Sequence, residues 1–145
     1  MKKALVIALL FGFTFFNTSC TKVSNAQAQT IENFVKAYFP EAEVLSTIRD
    51  GFDYEVTLSD YTHIEFDSNA LGKTPEWDEI DCRRSTIYKV VPAALVPAEI
   101  ADYISRLHQT QSIVKITKDS RGWDIELGNG VEIEFDRRFN VIEFD

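Results

Sequence analysis

The chain carries one sequence pattern twice, at a fixed offset of 69 residues. Residues 31–67 align without a gap on residues 100–136. The tetrapeptide Ile-Glu-Phe-Asp at residues 64–67 returns letter for letter at residues 133–136. A unit of this length is larger than the repeats of about 20 to 50 residues that build solenoids. The sequence therefore predicts two copies of one small α+β module.

A helix is predicted at the start of each copy. Apolar residues recur there at spacings of three and four, which is the pattern of one face of an amphipathic helix. We expect these helices near residues 30–39 and 97–108. Pro40 is expected to end the first helix, and Pro97 suits the first turn of the second, where its missing N–H is not needed. Residues 92–97 are expected to form a short helical turn before it.

Strands follow, because the apolar period changes from 3.6 to 2. The predicted strands lie near residues 44–49, 54–58, 64–67 and 76–81 in the first copy, and near residues 113–118, 123–127, 131–136 and 140–145 in the second. Each module is thus predicted to be a helix packed on a four-stranded antiparallel meander. Each copy has about sixty residues or fewer, so each should depend on the other for stability.

The turn between the second and third strands is predicted to differ between the copies. In the second copy Asn129 and Gly130 suit a tight type I′ turn, since both residues accept positive φ values. The first copy has Asp60 and Tyr61 at the same place. Tyrosine is unfavourable in the left-handed region, so we expect a looser turn or one of another type there.

The N-terminal segment predicts export. Lys2 and Lys3 precede an apolar run at residues 4–16 that is too short for a permanent membrane span. Two cleavage sites compete. A small-x-small site at residues 26–28 would make residues 1–28 the signal peptide. Alternatively, residues 1–19 would be a lipoprotein signal, and Cys20 would carry the lipid.

Charge and cysteine content limit the partners. The full chain has a net charge of −8, and cleavage after residue 28 leaves 12 basic against 23 acidic residues, a net charge of −11. Such a charge repels nucleic acid and anionic lipid, so we expect neutral or basic partners, and membrane contact only through a lipid anchor. Cys82 would be the one thiol left, so no internal disulfide is expected.

The order of motifs carries a family resemblance. It begins with a Pro-x-x-x-x-Pro-x-x-Ile helix start at residues 92–100 and an apolar strand, and it continues with an aromatic-acid-aliphatic strand at residues 123–127. An Asn-Gly turn and a Phe-Asp closing strand complete it. This order resembles the PepSY-like domain of small exported proteins from Bacteroidetes-type bacteria. The resemblance covers about residues 30–145 and divides them into repeats at residues 29–82 and 83–145.

The resemblance implies a fold like that of the β-lactamase inhibitor protein. In that fold, tandem modules of one helix and four antiparallel strands combine their sheets into a curved surface. Related PepSY domains are proposed to inhibit peptidases or to modulate their folding, and members of the inhibitor fold bind a partner enzyme on the concave sheet. Inhibition of one particular enzyme would be an analogy at the level of the fold, which is a weak basis for function.

The strongest functional candidate is an acidic sheet face. If the apolar residues of the strands point at the helices, the pleat sends the intervening acids to the opposite face. Those acids are Asp53, Glu55, Glu65 and Asp67 in the first copy, and Asp124, Glu126, Glu132, Glu134 and Asp136 in the second. Together they would form a negative surface that docks a basic partner. The alternative is a face kept charged only for solubility and against edge-to-edge pairing.

Two aromatic residues are the other candidates for partner binding. Tyr61, at a predicted hairpin tip, has no evident role in the core. The position of Trp77 is compatible with either the core or an interface. Such residues are common in the interface positions that dominate binding. Tyr54 and Trp123 occupy equivalent repeat positions and are expected in the core.

Metal binding and thiol chemistry are less favoured. The carboxylates of Glu76, Asp78, Glu79 and Asp81 offer the oxygen ligands that calcium prefers, but they match no EF-hand loop and alternate along a strand. His63 and His108 stand at unrelated repeat positions without the spacing of a zinc site. Cys82 precedes two arginines, which could lower its pKa, but it is expected to be a buried or half-buried structural thiol.

The sequence contains no G-x-S-x-G, glycine-rich phosphate loop, C-x-x-C or H-E-x-x-H motif. We therefore expect a non-enzymatic exported module that requires no cofactor and binds an envelope protein through a sheet face. An envelope hydrolase that it inhibits is the candidate partner. The alternative is a periplasmic protein that binds a small ligand or ion between the modules or within the curve of the sheet.

Overall fold

A computed structural model describes residues 25–68, 73–84, 90–108 and 110–145. The elements in chain order are α1 (Asn25–Tyr38), β1 (Val44–Asp50), β2 (Asp53–Leu58), β3 (His63–Asp67), β4 (Glu76–Asp81), a 3₁₀ turn (Ala93–Leu95), α2 (Ala98–Leu107), β5 (Ile113–Lys118), β6 (Gly122–Leu127), β7 (Glu132–Asp136) and β8 (Val141–Phe144). Of the predicted signal peptide, residues 1–28, the part up to residue 24 lies outside the described residues, as do the alternative lipoprotein signal and Cys20. The small-x-small cleavage site at residues 26–28 lies in the first turn of α1.

The eight strands form one antiparallel sheet in the order β1 to β8. Each strand pairs with its neighbour in sequence, and β4 pairs with β5 to join the two modules. In that junction Ile80 lies opposite Ile116, and neither side chain is exposed. The predicted α+β fold of two helix-plus-four-strand modules is confirmed. The two sheets are joined into a single sheet.

One hydrophobic core lies between this sheet and the two helices. The repeat is visible in it: Phe34 of α1 meets Phe66 edge-on at 5.2 Å, and the equivalent Tyr103 of α2 meets Phe135 edge-on at 5.3 Å. Ile31 and Val35 of α1 are buried like Ile100 and Ile104 of α2. Each fully buried aliphatic side chain stabilises the fold by about 1.5–3 kcal/mol, so this shared core couples the two modules.

The helix boundaries differ slightly from the prediction. The first helix begins at Asn25 and ends at Tyr38, two residues before Pro40. The second begins after Pro97, which is its N-cap instead of a residue of its first turn. The predicted short turn before α2 is the 3₁₀ turn. Tyr54 is fully buried as predicted, whereas Trp123 is partly buried against the core.

The prediction of a type I′ turn in the second copy was wrong. The N–H of Gly130 bonds to the carbonyl of Leu127, and Gly130 has a φ of 86°, whereas Asn129 has no positive φ. In the first copy the N–H of Tyr61 bonds to the carbonyl of Leu58, with a φ of 67° at Tyr61. Both turns therefore have one left-handed residue, at the last of the four turn positions. The turn around Tyr61 is thus not of type I′, as expected, but it does not differ from its counterpart in the second copy, and its tyrosine is left-handed despite the unfavourable preference.

Candidate protein-binding face

The sheet face away from the helices carries a row of acidic side chains. Strand pairing places seven residues side by side across β2 to β8, in the order Glu55, Glu65, Glu79, Thr117, Asp124, Glu134 and Glu143. Six of these seven residues carry a carboxylate, and the seventh is Thr117. We call the seven residues together the acidic row. Side chains directly opposite each other on neighbouring antiparallel strands lie about 4.5–5.5 Å apart at Cβ, so the carboxylates are close neighbours.

Like charges in direct opposition destabilise a sheet, and the acidic row shows the expected electrostatic response. Burial raises the pKa of Glu65, and the neighbouring carboxylates of Glu79 and Asp78 raise it further. On the other side of the row, the charge of Asp124 raises the pKa of Glu134, with smaller contributions from burial and from Glu143. The two ends of the row thus keep mutually repelling charges.

The centre of the row is neutralised by a lysine from β5. The Nζ of Lys115 lies 2.9 Å from the Oε2 of Glu79, and the hydroxyl of Thr117 donates to the same oxygen at 3.1 Å. Both charged side chains are mostly buried. These contacts cross the junction between β4 and β5, so they neutralise the row and also hold the two modules together.

Arg83 makes a second bridge between the modules. Its Nη2 lies 2.6 Å from Asp81 of β4, and its Nη1 lies 2.7 Å from Glu126 of β6. Burial alone would raise the pKa of Asp81, but the hydrogen bonds from Arg83 outweigh it and bring this pKa below its usual range. The hydrogen bond to Asp81 likewise raises the pKa of the Arg83 guanidinium. The carboxylate of Glu126 is therefore engaged in a salt bridge within the domain.

The two ends of the row are compensated less: the charge of Arg121 lowers the pKa of Glu134, but by less than the neighbouring acids raise it. Within the described part of the chain, no salt bridge involves Glu55, Glu65, Asp124, Glu134 or Glu143. The half around β5 to β8 also surrounds a depression of about 280 Å³. Its lining includes Asp124, Glu132, Glu134, Glu143 and Asp145. A basic side chain of a partner would find several carboxylates there.

The predicted site residues therefore divide into groups. The structure brings Glu55, Glu65, Asp124 and Glu134 into the acidic row, with Glu132 beside it in the lining of the depression. Asp53 is the first residue of its strand, and Asp67 and Asp136 are the last residues of theirs, so all three lie outside the row.

The two aromatic candidates lie away from the acidic row. Tyr61 is at the tip of the β2–β3 turn and is 54% exposed. Trp77 pairs with Phe66 on the side of the sheet that faces the helices, and the Nζ of Lys118 lies 4.3 Å from its ring centre. The aromatic residues and the acidic row therefore do not form a single site.

Four residues of this face were missed by sequence reasoning. Glu79 and Glu143 complete the acidic row, and Lys115 and Arg83 neutralise its centre. The apolar–acidic alternation around Glu143 could have identified that residue. The partners of Lys115 and Arg83 depend on the register between β4 and β5 and on the turn after β4, which no local sequence pattern reveals.

The remaining candidate residues from the sequence lie at positions where they make contacts within the fold. His63 lies opposite Asp81 in the β3–β4 pair, and His108 is the C-cap of α2 and stacks on Phe144. Cys82 is a buried thiol that is not part of a disulfide among the described residues. Among the described residues, no group of three or more His, Cys, Asp or Glu side chains has the arrangement of a metal site. Of the four carboxylates considered as calcium ligands, Glu79 and Asp81 form salt bridges with Lys115 and Arg83.

One corner of the acidic face holds a carboxylate that is only partly satisfied. Asp78 is the extra residue of a β-bulge in β4, and its Oδ1 is buried without a hydrogen-bond partner among the described residues. Burial raises its pKa, backbone hydrogen bonds at Asp78 and Glu79 oppose this rise, and the charges of Asp67 and Asp53 add to it, so the pKa is raised on balance. Burial also raises the pKa of Asp53, as does the nearby Asp67.

The helix side of the first module has a second depression, of about 300 Å³. Aromatic rings line much of it, including Phe34, Tyr38, Phe66 and Trp77, and Glu76 and Lys118 add one charge of each sign. This composition differs from that of the acidic face and suits an apolar or aromatic group.

The family comparison agrees with this architecture. The family described as “Putative beta-lactamase-inhibitor-like, PepSY-like” matches residues 19–72 and residues 52–143. The two matches together cover most of the sequence, so the chain belongs to the PepSY-like family. The family description names an inhibitor-like fold and no enzymatic activity. A search of curated proteins gives no match.

Solved structures with the same fold come from Bacteroides. A “putative calcium-regulated periplasmic protein” of Bacteroides thetaiotaomicron is 30% identical, with a TM-score of 0.68 over 81% of this chain and 88% of that one. A “putative periplasmic protein from DUF2874 family” of Bacteroides vulgatus is 33% identical, with a TM-score of 0.67 over the same shares of the two chains. Another Bacteroides vulgatus periplasmic protein, of unknown function, is 27% identical, with a TM-score of 0.69 over 86% and 96%. In the described residues of the present chain, no helix is long and apolar enough to cross a membrane.

Proposed function

We propose that this protein is an exported, non-enzymatic binding module whose acidic sheet face docks a basic protein of the cell envelope. The observation that carries the proposal is the set of carboxylates at the two ends of the acidic row. They stand in direct opposition without salt bridges among the described residues, while the centre of the same row is neutralised by Lys115. A role in binding gives a reason to keep such repulsion, which lowers stability.

Complementary charge would mainly set the specificity and the speed of encounter. A surface of one sign attracts an oppositely charged partner and repels proteins of its own sign. The family's inhibitor-like description supports the narrower proposal that the partner is an envelope hydrolase and that binding inhibits it. The periplasmic description of the similar structures supports export. A lipid anchor at Cys20 is the alternative form of the mature protein.

The proposal is tested by affinity capture from an envelope extract with three immobilised baits. The first is the native domain. The second, the face variant, carries Asp124→Asn, Glu134→Gln and Glu143→Gln. The third, the control variant, carries Glu41→Gln, Glu99→Gln and Asp102→Asn, and loses the same charge at exposed positions outside the sheet. Glu126 is left unchanged, because its loss would free Arg83 and disturb the junction.

We expect the native domain and the control variant to retain the same basic protein, released by salt, and the face variant to lose it. A purified hydrolase identified in this way is then assayed with and without the native domain. Equal retention by all three baits would contradict a role for the acidic face. Retention without any effect on activity would leave binding intact and remove the inhibitor role.

A second candidate function is calcium-dependent regulation of this binding. The relevant observation is the buried Oδ1 of Asp78, which has no hydrogen-bond partner among the described residues. The charges of Asp53 and Asp67 act on it, although the three carboxylates do not have the arrangement of a preformed metal site. Carboxylate oxygens are the ligands that calcium prefers, and one similar structure is described as “calcium-regulated”. A ligand that binds only the native state raises the melting temperature. A rise with calcium that magnesium does not reproduce and that Asp78→Asn abolishes would support this function, whereas an unchanged melting temperature would exclude it.

The third possibility, a small ligand, concerns the aromatic depression on the helix side. A screen of aromatic and apolar solutes by melting temperature tests it, with Trp77→Ala as the variant that should abolish any shift. Binding there should be indifferent to the face variant, because the depression lies on the opposite side of the sheet.

A further inference from the structure

The free edge of the sheet at β8 is built like a strand that is paired inside the molecule. Within each module the last strand pairs with the third in the same register: Glu79 faces Glu65 and Ile80 faces Ile64, while Glu143 faces Glu134 and Phe144 faces Ile133. Both last strands also have a β-bulge one residue earlier, at Asp78 and at Ile142. Thus β8 is the structural equivalent of β4.

The two equivalent strands differ in what covers them. Strand β4 is covered by β5, and Ile80 is fully buried in that pairing. Among the described residues, no strand pairs with the outer side of β8, and Phe144, which occupies the place of Ile80, is 52% exposed. Ile142 is 62% exposed. An exposed edge strand with apolar side chains is a template for a further strand.

The internal junction indicates which kind of strand suits this edge. In β5, Lys115 bonds to Glu79, Ile116 packs opposite Ile80, and Thr117 bonds to Glu79. By the equivalence of the strands, Glu143 and Phe144 present the same carboxylate and apolar pair at β8. A complementary strand would therefore carry a lysine, a β-branched apolar residue and a threonine in succession.

A second copy of this chain does not offer that pattern at its own free edge. Strand β1 is the equivalent of β5, and its residues at the positions of Lys115, Ile116 and Thr117 are Ser46, Thr47 and Ile48. No positive charge there would meet Glu143. Charge complementarity thus favours a partner with a basic extended segment over head-to-tail pairing between copies.

We propose that β8 is a docking edge at which an extended segment of the sequence type Lys–β-branched–Thr adds as a ninth strand. Main-chain hydrogen bonds would provide affinity, and the charge opposite Glu143 would provide specificity. The inference deepens the proposed function, since it gives the basic partner a binding mode at the edge of the acidic face. It predicts dependence on backbone hydrogen bonds, which docking on the face alone does not.

The probe for this edge is a fluorescent peptide of residues 112–118, which contains β5. Its binding to the full domain is followed by fluorescence anisotropy. Three comparison peptides carry Lys115→Glu, N-methylation at Ile116, or scrambled order. We expect the native peptide to bind at least tenfold more tightly than each of these. A charge swap locates the site: Glu143→Lys should weaken the native peptide and restore binding of the Lys115→Glu peptide, while Ile48→Lys on the opposite edge should leave the native peptide unaffected.

Several outcomes would overturn the proposal. They are the absence of binding, equal binding of the N-methylated peptide, and a charge swap without rescue. Concentration-dependent association of the domain with itself that Ser46→Glu abolishes, by placing a like charge opposite Glu143, would make a second copy the occupant instead. The double variant Asp124→Asn/Glu134→Gln, unlike the triple face variant, keeps Glu143 and leaves the edge intact. If it retains the peptide but loses the captured envelope protein, the edge and face functions are separate, and the failure of one does not decide the other.

Discussion

The ammonium group of Lys115 lies 2.9 Å from the carboxylate of Glu79, across the pair of strands that joins the two modules. Lys115 is the cation that interrupts the acidic row, so one contact serves both the cohesion of the sheet and the charge pattern of its face. Glu79 would otherwise stand directly between Glu65 and the second module with its charge uncompensated.

Replacing Lys115 should destabilise the whole domain. Lys115→Met keeps the length of the side chain but leaves the mostly buried Glu79 carboxylate without its cation, so we expect the free energy of unfolding to fall by about 1–3 kcal/mol. Urea unfolding measures this change. The exposed Lys73→Met is the matched control and should change stability by less than about 0.5 kcal/mol. Equal effects of the two variants would show that the pair contributes nothing.

Neutralising the acidic row should stabilise the domain. The face variant Asp124→Asn/Glu134→Gln/Glu143→Gln removes three mutually repelling charges, so its free energy of unfolding at pH 7 should exceed that of the native domain. The difference should shrink in high salt, because salt screens the repulsion between exposed charges. The control variant outside the sheet should show no such gain. A less stable face variant would mean that these carboxylates support the fold instead of opposing it.

The pH dependence of stability should have a maximum in mildly acidic solution. Glu65, Glu134, Asp53 and Asp78 have raised pKa values in the native state, so the native state binds protons more readily than the unfolded chain. Stability must therefore rise as the pH falls from neutrality through these raised pKa values towards the ordinary values of 4.5 for Glu and 3.8 for Asp.

At lower pH the sign reverses. Asp81, Asp119 and Asp136 have pKa values below 3.8, and each accepts hydrogen bonds in its charged form. The stability that these three carboxylates contribute is complete at a pH above their ordinary pKa. It is lost as the pH falls through their lowered native-state pKa values. Urea titrations at pH 8, 6.5, 5 and 3 measure both limbs. A stability that only falls between pH 8 and pH 5 would contradict the repulsion described for the row.

The tip of the β2–β3 turn should be strained. Tyr61 has a φ of 67°, in the left-handed region that costs a residue with a Cβ about 1–2 kcal/mol. Tyr61→Gly should therefore stabilise the domain by about 1 kcal/mol, as measured by urea unfolding. The equivalent turn supplies the matched experiment, because Gly130→Ala should destabilise the domain by a similar amount. If Tyr61→Gly is neutral or destabilising, side-chain contacts of Tyr61 compensate for the backbone strain.

Much of this architecture could be predicted from the repeat and the change of period. The apolar residues at Tyr54 and Val56, or at Ile125 and Leu127, fix which side of each strand is buried, and the acids between them must then face away. The fourth strand of the first copy was predicted with the bounds Glu76–Asp81 that the structure has. Such features depend on local periodicity, which a sequence displays directly.

The parts that could not be predicted depend on contacts between distant residues. The acidic row as a continuous line needs the register across six strand pairs, and a bulge such as that at Asp78 shifts this register by one residue. Arg83 is 43 residues from Glu126 in sequence, so no local pattern links them. The left-handed Tyr61 also contradicts local preference, because the hairpin and the surrounding sheet determine the turn.

The central claim, that the acidic face docks a basic partner, is tested most directly by the affinity of the captured envelope protein for the three forms of the domain. Binding is measured at low and at high salt for the native domain, the face variant and the control variant. The account predicts that the face variant binds at least tenfold more weakly than the other two at low salt, and that the difference narrows at high salt. Equal affinities of all three forms for that protein would contradict it.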